Sequence, residues 1–264
     1  MNHGICLWMA AALRAEPSHT AEMVSQLLFG ESYTVLEKLP EWVKIRTDDC
    51  GYEGWLQRKQ LVPLSDEEHA GLQTQPHHIV DTLFQFVRDR QSHIPTLLCI
   101  GARLPEPKEG VFTLAGRTFK VEPAAPLAVP RHEGLTEQQD RLLAFALQYL
   151  NAPYLWGGRT PAGIDCSGFS QIAFRSIGIE LPRDASQQVE LGTPVDFVDE
   201  ARIGDLAFFG NEEGRIIHVG IVCGHRQILH ASGHVQINTL DDTGIFHTPS
   251  GKYTHLLRII KRLL

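Results

Sequence analysis

Several things are scarce in this chain of 264 residues, and each scarcity removes a class of function. Basic residues do not cluster: 24 Lys and Arg stand against 31 Asp and Glu, for a formal charge of −7. Nucleic-acid binding, which draws most of its affinity from clustered Lys and Arg on phosphates, is therefore not expected. Long apolar runs are missing too. Residues 5–13 form an apolar stretch of nine, against the roughly 20 that a membrane-crossing helix needs. No Lys or Arg precedes that stretch, Arg14 follows it at once, and no small-x-small cleavage word ends it. It reads as the opening strand of a folded domain, not as an export signal, with a cytoplasmic protein and no membrane association as the expectation. Cysteine is limited to five residues, an odd number without any Cys-x-x-Cys pair, which argues against a disulfide framework and agrees with a reducing compartment.

One of those cysteines has a distinctive setting. Residues 157–163 read Gly-Gly-Arg-Thr-Pro-Ala-Gly and must be loop. Asp165 then suits an N-cap, and Phe169, Ile172, Ala173 and Ile177 follow at helical spacing until Gly178. Cys166 is thereby placed in the first turn of a helix. Unpaired backbone N–H groups and the positive end of the helix dipole favour an anion there, so a thiolate is expected, with an imidazolium neighbour as the second helper.

Downstream, residues 204–209, 218–222 and 227–231 are short strand-like runs with polar or Gly-bearing breaks between them. Runs so close together are expected to pair as an antiparallel meander. His218 and His230 would then lie side by side, His218 facing the thiol as base and His230 orienting it. An Asn, Gln or Asp would serve equally well in that last role.

The plainer readings bear on the other candidates. Cys6, Cys50, Cys99 and Cys223 have no such partners and read as small buried hydrophobes. A zinc site of Cys166, His218 and His230 was weighed and set aside, since no Cys-x-x-Cys pair completes the ligand set; no metal or other cofactor is expected.

Taken together, the words Pro153-Tyr154-Leu155-Trp156-Gly157-Gly158, Asp165-Cys166-Ser167-Gly168-Phe169, Leu181-Pro182-Arg183-Asp184, Gly204-Asp205-Leu206, His218-Val219-Gly220-Ile221 and His230-Ala231-Ser232 resemble the NlpC-type cysteine peptidases, a papain-like family of bacterial cell-wall enzymes. The resemblance implies an α+β domain whose helix presents the cysteine to an antiparallel sheet bearing the histidines. It implies Cys166 as nucleophile, His218 as general base and later acid, and His230 as third member. Tyr154 matches a family tyrosine whose hydroxyl lies near the nucleophile and helps the Cys166 N–H to hold the oxyanion.

The catalytic domain is placed at residues 126–264. Thr136 and Gln139 form a capping-box start, with Leu142, Leu143, Phe145, Ala146, Tyr149 and Leu150 as the apolar face of the helix that follows. Pro123, Pro126 and Pro130 mark a linker before it. Residues 1–65 carry strand-like runs at 4–13, 33–39, 42–47 and 54–57 and suggest a small barrel; words such as Trp42-Val43-Lys44-Ile45 and Gly51-Tyr52-Glu53-Gly54-Trp55-Leu56 resemble bacterial SH3 domains. Residues 66–125 are assigned to a second, degenerate SH3-like barrel, with strands at 96–102, 110–114 and 117–121 and with 67–72 and 79–87 either helical or extended.

Members of the family similar in architecture, the γ-D-glutamyl-L-diamino acid endopeptidases, imply the substrate: a free murein tripeptide or tetrapeptide with an unblocked N-terminal L-alanine. The resemblance assigns the substrate ammonium to Asp165, Tyr52 and Glu22, and the free carboxylate of D-glutamate to Ser167 and Arg183. Read without it, Asp165 is an N-cap, Tyr52 barrel core, Glu22 a solvated turn residue, and Arg183 with Asp184 a surface ion pair. Two other functions fit the same residues, a peptidoglycan-binding module with a vestigial thiol and a thioester-forming acyltransferase. No protein partner is read from the sequence.

Overall fold

The computed structural model describes residues 2–123 and 136–264; the linker prolines Pro126 and Pro130 lie outside the described residues. The chain divides into two compact units, Met1–Ala128 with Trp156–Pro161, and Val129–Leu155 with Ala162–Leu264. Among the described residues no helix is long and apolar enough to cross a membrane.

In the first unit, seven strands form an antiparallel sheet in the order Met23–Leu28, Ala10–Arg14, Glu53–Gln57, Trp42–Thr47, Ser32–Lys38, His3–Ile5 and Val62–Leu64. The expected single strand over 4–13 is two strands. Between them the chain turns through Trp8, whose ring is largely exposed, while the Cys6 N–H is drawn to the Glu31 carbonyl at 3.0 Å. Apolar composition alone could not reveal this break, because a turn residue that packs its neighbours can itself be apolar.

Helix α1, Asp66–Thr74, resolves the ambiguous stretch that follows in favour of helix: Ser65 caps it and the Glu68 side chain reaches back, a complete capping box. The other ambiguous stretch, 79–87, splits into strands His77–Ile79 and Phe84–Asp89. Strands Pro95–Cys99, Phe84–Asp89, Arg117–Val121 and Val111–Leu114 form one sheet, and Arg103–Pro105 pairs with His77–Ile79. Ile5, Phe29 and Leu64 share a core with Leu72, Val87, Leu98, Phe112 and Phe119, so residues on both sides of position 65 bury one another.

The second unit opens with α2, Glu137–Leu147, started by the Thr136–Gln139 capping box. Leu142, Leu143, Phe145 and Ala146 are buried as the periodicity requires, whereas Leu150 lies past the helix end and is 40% exposed. Helix α3, Cys166–Arg175, is capped by Asp165, whose Oδ1 accepts the Gly168 N–H at 2.7 Å. All ten of its residues are buried, and two of its polar side chains are held by hydrogen bonds: Ser170 donates to Gln188 Oε1 at 2.7 Å, and Gln171 Nε2 donates to the Leu181 carbonyl at 2.9 Å.

The accompanying antiparallel sheet runs Thr193–Val195, Lys252–Arg262, Leu206–Gly210, Ile216–Gly224, Gln227–Ser232, His234–Leu240 and Gly244–His247. Gly244–His247 pairs with Lys252–Arg262 as well, so six strands close on themselves and leave no open edge among them. Helix α3 packs on Ile216–Gly224 and Gln227–Ser232. The cysteine at its first residue and the histidines of those strands thus belong to one packed layer pair.

Candidate active site

Cys166, His218 and His230 are all buried. His218 and His230 sit on neighbouring strands, with Ile221 opposite Leu229 in the register. Continuing that register places Gly220 across from His230. A Cβ at Gly220 would lie 2.9 Å from the His230 Cβ and 2.7 Å from Ile228 Cδ1, so the missing side chain makes room for His230 and Ile228. The two histidine rings meet edge to face, 87° apart, with His218 Nε2 2.9 Å from His230 Nδ1. The outer nitrogen of His230, Nε2, receives the amide nitrogen of Asn238 at 3.0 Å.

A third ring completes the group. His255, on Lys252–Arg262, stacks on His218 with centroids 4.1 Å apart and planes 28° from parallel. The ligating atoms of His218, His230 and His255 fall within 4.8 Å of one another. Stacked rings, however, hold their lone pairs in offset and nearly parallel planes, so one ion could not lie well in the plane of both His218 and His255 without a ring turning.

Electrostatically the site is dominated by burial. Desolvation, followed by the nearby Asp165 carboxylate, pushes the Cys166 thiol up to about 11, against smaller opposing effects of the Val219 and Ser167 N–H groups and of Arg183. His218 is driven well below its ordinary value by burial first and then by His255 and His230, and burial lowers His230 to about 3. Both shifts favour a neutral thiol and a neutral imidazole, against the direction of the expected thiolate. The helix terminus and its N–H groups act in the expected direction, but desolvation of the anion outweighs them. Cys50 at about 11 and Cys223 at about 12 are raised by the same burial; Cys166 is distinguished by its neighbours, not by its acidity.

Asp165, Ser167 and Arg183 are brought together. Arg183 grips Asp165 with both terminal nitrogens, Nη2 to Oδ2 at 2.6 Å and Nη1 to Oδ1 at 3.1 Å, and Nη1 also donates to Ser167 Oγ at 2.9 Å. Arg183 is buried, so the reading of a surface ion pair is overturned: its fork is turned inward to the N-cap carboxylate of Asp165 in a bidentate match. Tyr154 is half-buried, and its hydroxyl is raised to about 12 by burial and then by Cys166 and Asp165.

The remaining two candidates lie in the first unit. Tyr52 is half-buried at the turn before Glu53–Gln57, with its N–H donating to Thr47 Oγ1 at 3.1 Å. Glu22 is exposed and accepts a hydrogen bond from the Trp156 indole. In the same unit Arg159 is buried and held by Glu31 at 2.8 Å and by the Gln26 carbonyl at 2.7 Å.

Similarity to known proteins points the same way. The profile of the NlpC/P60 family matches residues 151–249, and that of the bacterial dipeptidyl-peptidase Sh3 domain matches residues 13–61. A γ-D-glutamyl-L-lysine dipeptidyl-peptidase of Bacillus subtilis (strain 168) is 32% identical over 236 residues, covering 83% of this chain and 76% of the relative. The chain belongs to the NlpC/P60 family of cysteine peptidases. Dipeptidyl-peptidase 6 of Lysinibacillus sphaericus is 27% identical over 259 residues, 91% of this chain and 92% of that protein. An NlpC/P60 family protein of Bacillus cereus ATCC 10987 shares the fold, with a TM-score of 0.81 at 22% identity and 99% of both chains covered.

Within this NlpC/P60 site the sequence reading missed Asn238 and His255. Asn238 alternates with Val235 and Ile237 in His234–Leu240, and this period-two pattern puts it on the same face as Gln236, which pairs with His230. His255 carried no such signal, because its strand is separated from that of His218 by Leu206–Gly210 in the sheet, and His255 itself lies more than thirty residues beyond His218 in the chain.

Proposed function

We propose that this protein hydrolyses the bond between γ-D-glutamate and a diamino acid, diaminopimelate or lysine, in free murein peptides with an unblocked N-terminal L-alanine. The product is L-Ala-γ-D-Glu. The observation that carries this reading is the Cys166, His218 and His230 set in a chain aligned over most of its length with γ-D-glutamyl-L-lysine dipeptidyl-peptidases, 32% and 27% identical to it.

In this reading a neutral pair starts the reaction. As Cys166 Sγ bonds to the γ-carbonyl carbon, its proton passes to His218, and the carbonyl oxygen becomes an oxyanion taken up by the Cys166 N–H and Tyr154 hydroxyl. His218 then gives that proton to the leaving amine as the C–N bond breaks, leaving a thioester. Water attacks the thioester with His218 again as base; the acid is released and the thiol restored. His230 holds the imidazole in line.

Asp165, Tyr52 and Glu22 are assigned to the substrate ammonium, and Ser167 with Arg183 to the D-glutamyl carboxylate. Because Asp165 is already compensated by Arg183, the two together suit a zwitterionic dipeptide end better than either charge alone. Purified protein is expected to release L-Ala-γ-D-Glu from L-Ala-γ-D-Glu-meso-diaminopimelate and to lose turnover on Cys166→Ala. Equal cleavage of the N-acetylated peptide would refute the ammonium assignment, and transfer products with added amines would favour an acyltransferase.

A further inference from the structure

We propose that Asn238 is a positioning residue that sets the tautomer of His230 and, through it, decides which nitrogen of His218 is free to take the thiol proton. The inference rests on the thiol–imidazole reading above. It follows from counting protons along three side chains joined end to end, His218 Nε2 to His230 Nδ1 at 2.9 Å and His230 Nε2 to the Asn238 amide at 3.0 Å.

A neutral imidazole has one N–H and one lone pair. With the Asn238 Nδ2 facing His230, the amide donates, so His230 Nε2 carries the lone pair and Nδ1 the proton. His230 then donates to His218 Nε2, which must be the acceptor. The proton of His218 is left on Nδ1, the only nitrogen not engaged by His230, and that nitrogen cannot accept the thiol proton.

Turning the Asn238 amide through 180° exchanges Nδ2 for Oδ1 with little change of shape and reverses every assignment. Oδ1 accepts from His230 Nε2–H, His230 Nδ1 accepts from His218 Nε2–H, and His218 Nδ1 presents a lone pair. After proton transfer the same arrangement holds the imidazolium, since His218 Nε2–H still has an acceptor. Asn238 thus carries both a resting and a working orientation, which an acceptor-only or an apolar side chain at that place would not. His230 is fully buried, so an N–H on Nε2 lacking an acceptor would be costly.

The test compares Asn238→Leu, which offers neither donor nor acceptor, with Asn238→Asp, which offers only acceptors when ionised; Asn238→Ala controls for the bulk of leucine. Nitrogen-15 chemical shifts of the His230 ring, read in the full chain without substrate, report the tautomer. The expected result is that Asn238→Leu and Asn238→Ala retain the resting Nδ1–H form of His230 and lower kcat at least tenfold with KM and Tm little changed, while Asn238→Asp shifts the resting ring to the Nε2–H form and turns over faster than Asn238→Leu.

Wild-type kcat in Asn238→Leu would overturn the proposal, as would wild-type ring shifts in Asn238→Asp or equal losses in the Asp and Leu variants. If the γ-D-glutamyl peptide were not cleaved at all, the substrate reading would fail alone. The ring shifts and the rate of Cys166 alkylation by iodoacetamide would still decide the tautomer question.

Discussion

The Nε2 of His218 and the Nδ1 of His230 lie 2.9 Å apart in rings set at 87°, so His230 holds the plane of the His218 ring and engages its Nε2. His230→Ala is expected to lower kcat by roughly 10²-fold or more while leaving KM near its wild-type value. Steady-state kinetics on the tripeptide would check this, and a loss confined to KM would show that His230 acts on binding instead.

Acid should destabilise the fold through the same histidines. Their pKa values are depressed in the folded state, His230 to about 3 from an ordinary 6.5, so between those values the unfolded chain binds more protons than the native one. Stability is then fully present above about pH 6.5 and falls as pH drops toward 3, by about 1.4 kcal/mol per pH unit for each such histidine. Thermal melts across this range should show a falling Tm, and the slope should be shallower in His230→Leu.

Removing one member of the Asp165–Arg183 pair strands the other in a buried place. Arg183→Met or Asp165→Ala should cost about 3–5 kcal/mol, the latter with about 1 kcal/mol more for the lost N-cap. The double replacement Asp165→Leu, Arg183→Met should cost less than the sum of the two. Urea denaturation of the three variants checks this as a double-mutant cycle.

Gly220→Ala tests the room left for His230. The added methyl would sit 2.9 Å from the His230 Cβ, and overpacking of this kind costs about 1–3 kcal/mol. The expected outcome is a lower Tm with a reduced kcat, because the displaced ring is the one that orients His218. Gly224→Ala, at the far end of the same strand, where the near contact is the flexible end of Gln227, should leave kcat unchanged.

Local signals carried much of the fold. The N-cap at Asp165, the capping box at Thr136 and Gln139, and the short strands at 206–210, 216–224 and 227–232 were all legible because each depends on neighbours within a few residues. The single strand read over 4–13 failed for the complementary reason: which partner a strand pairs with is set by residues far away. Arg183 shows the same limit, since nothing beside it in sequence tells that its guanidinium turns inward to Asp165.

The sequence by itself determined that a cysteine would head a helix, that two histidines would stand on paired strands, and that these groups would bear an acyl-transfer chemistry. The tertiary structure alone decided their protonation and their company. Burial favours the neutral forms of Cys166 and His218, and long-range pairing brings Asn238 to His230 and stacks His255 on His218. Desolvation and long-range pairing depend on what surrounds a residue in space, and chain order encodes that only through the completed fold.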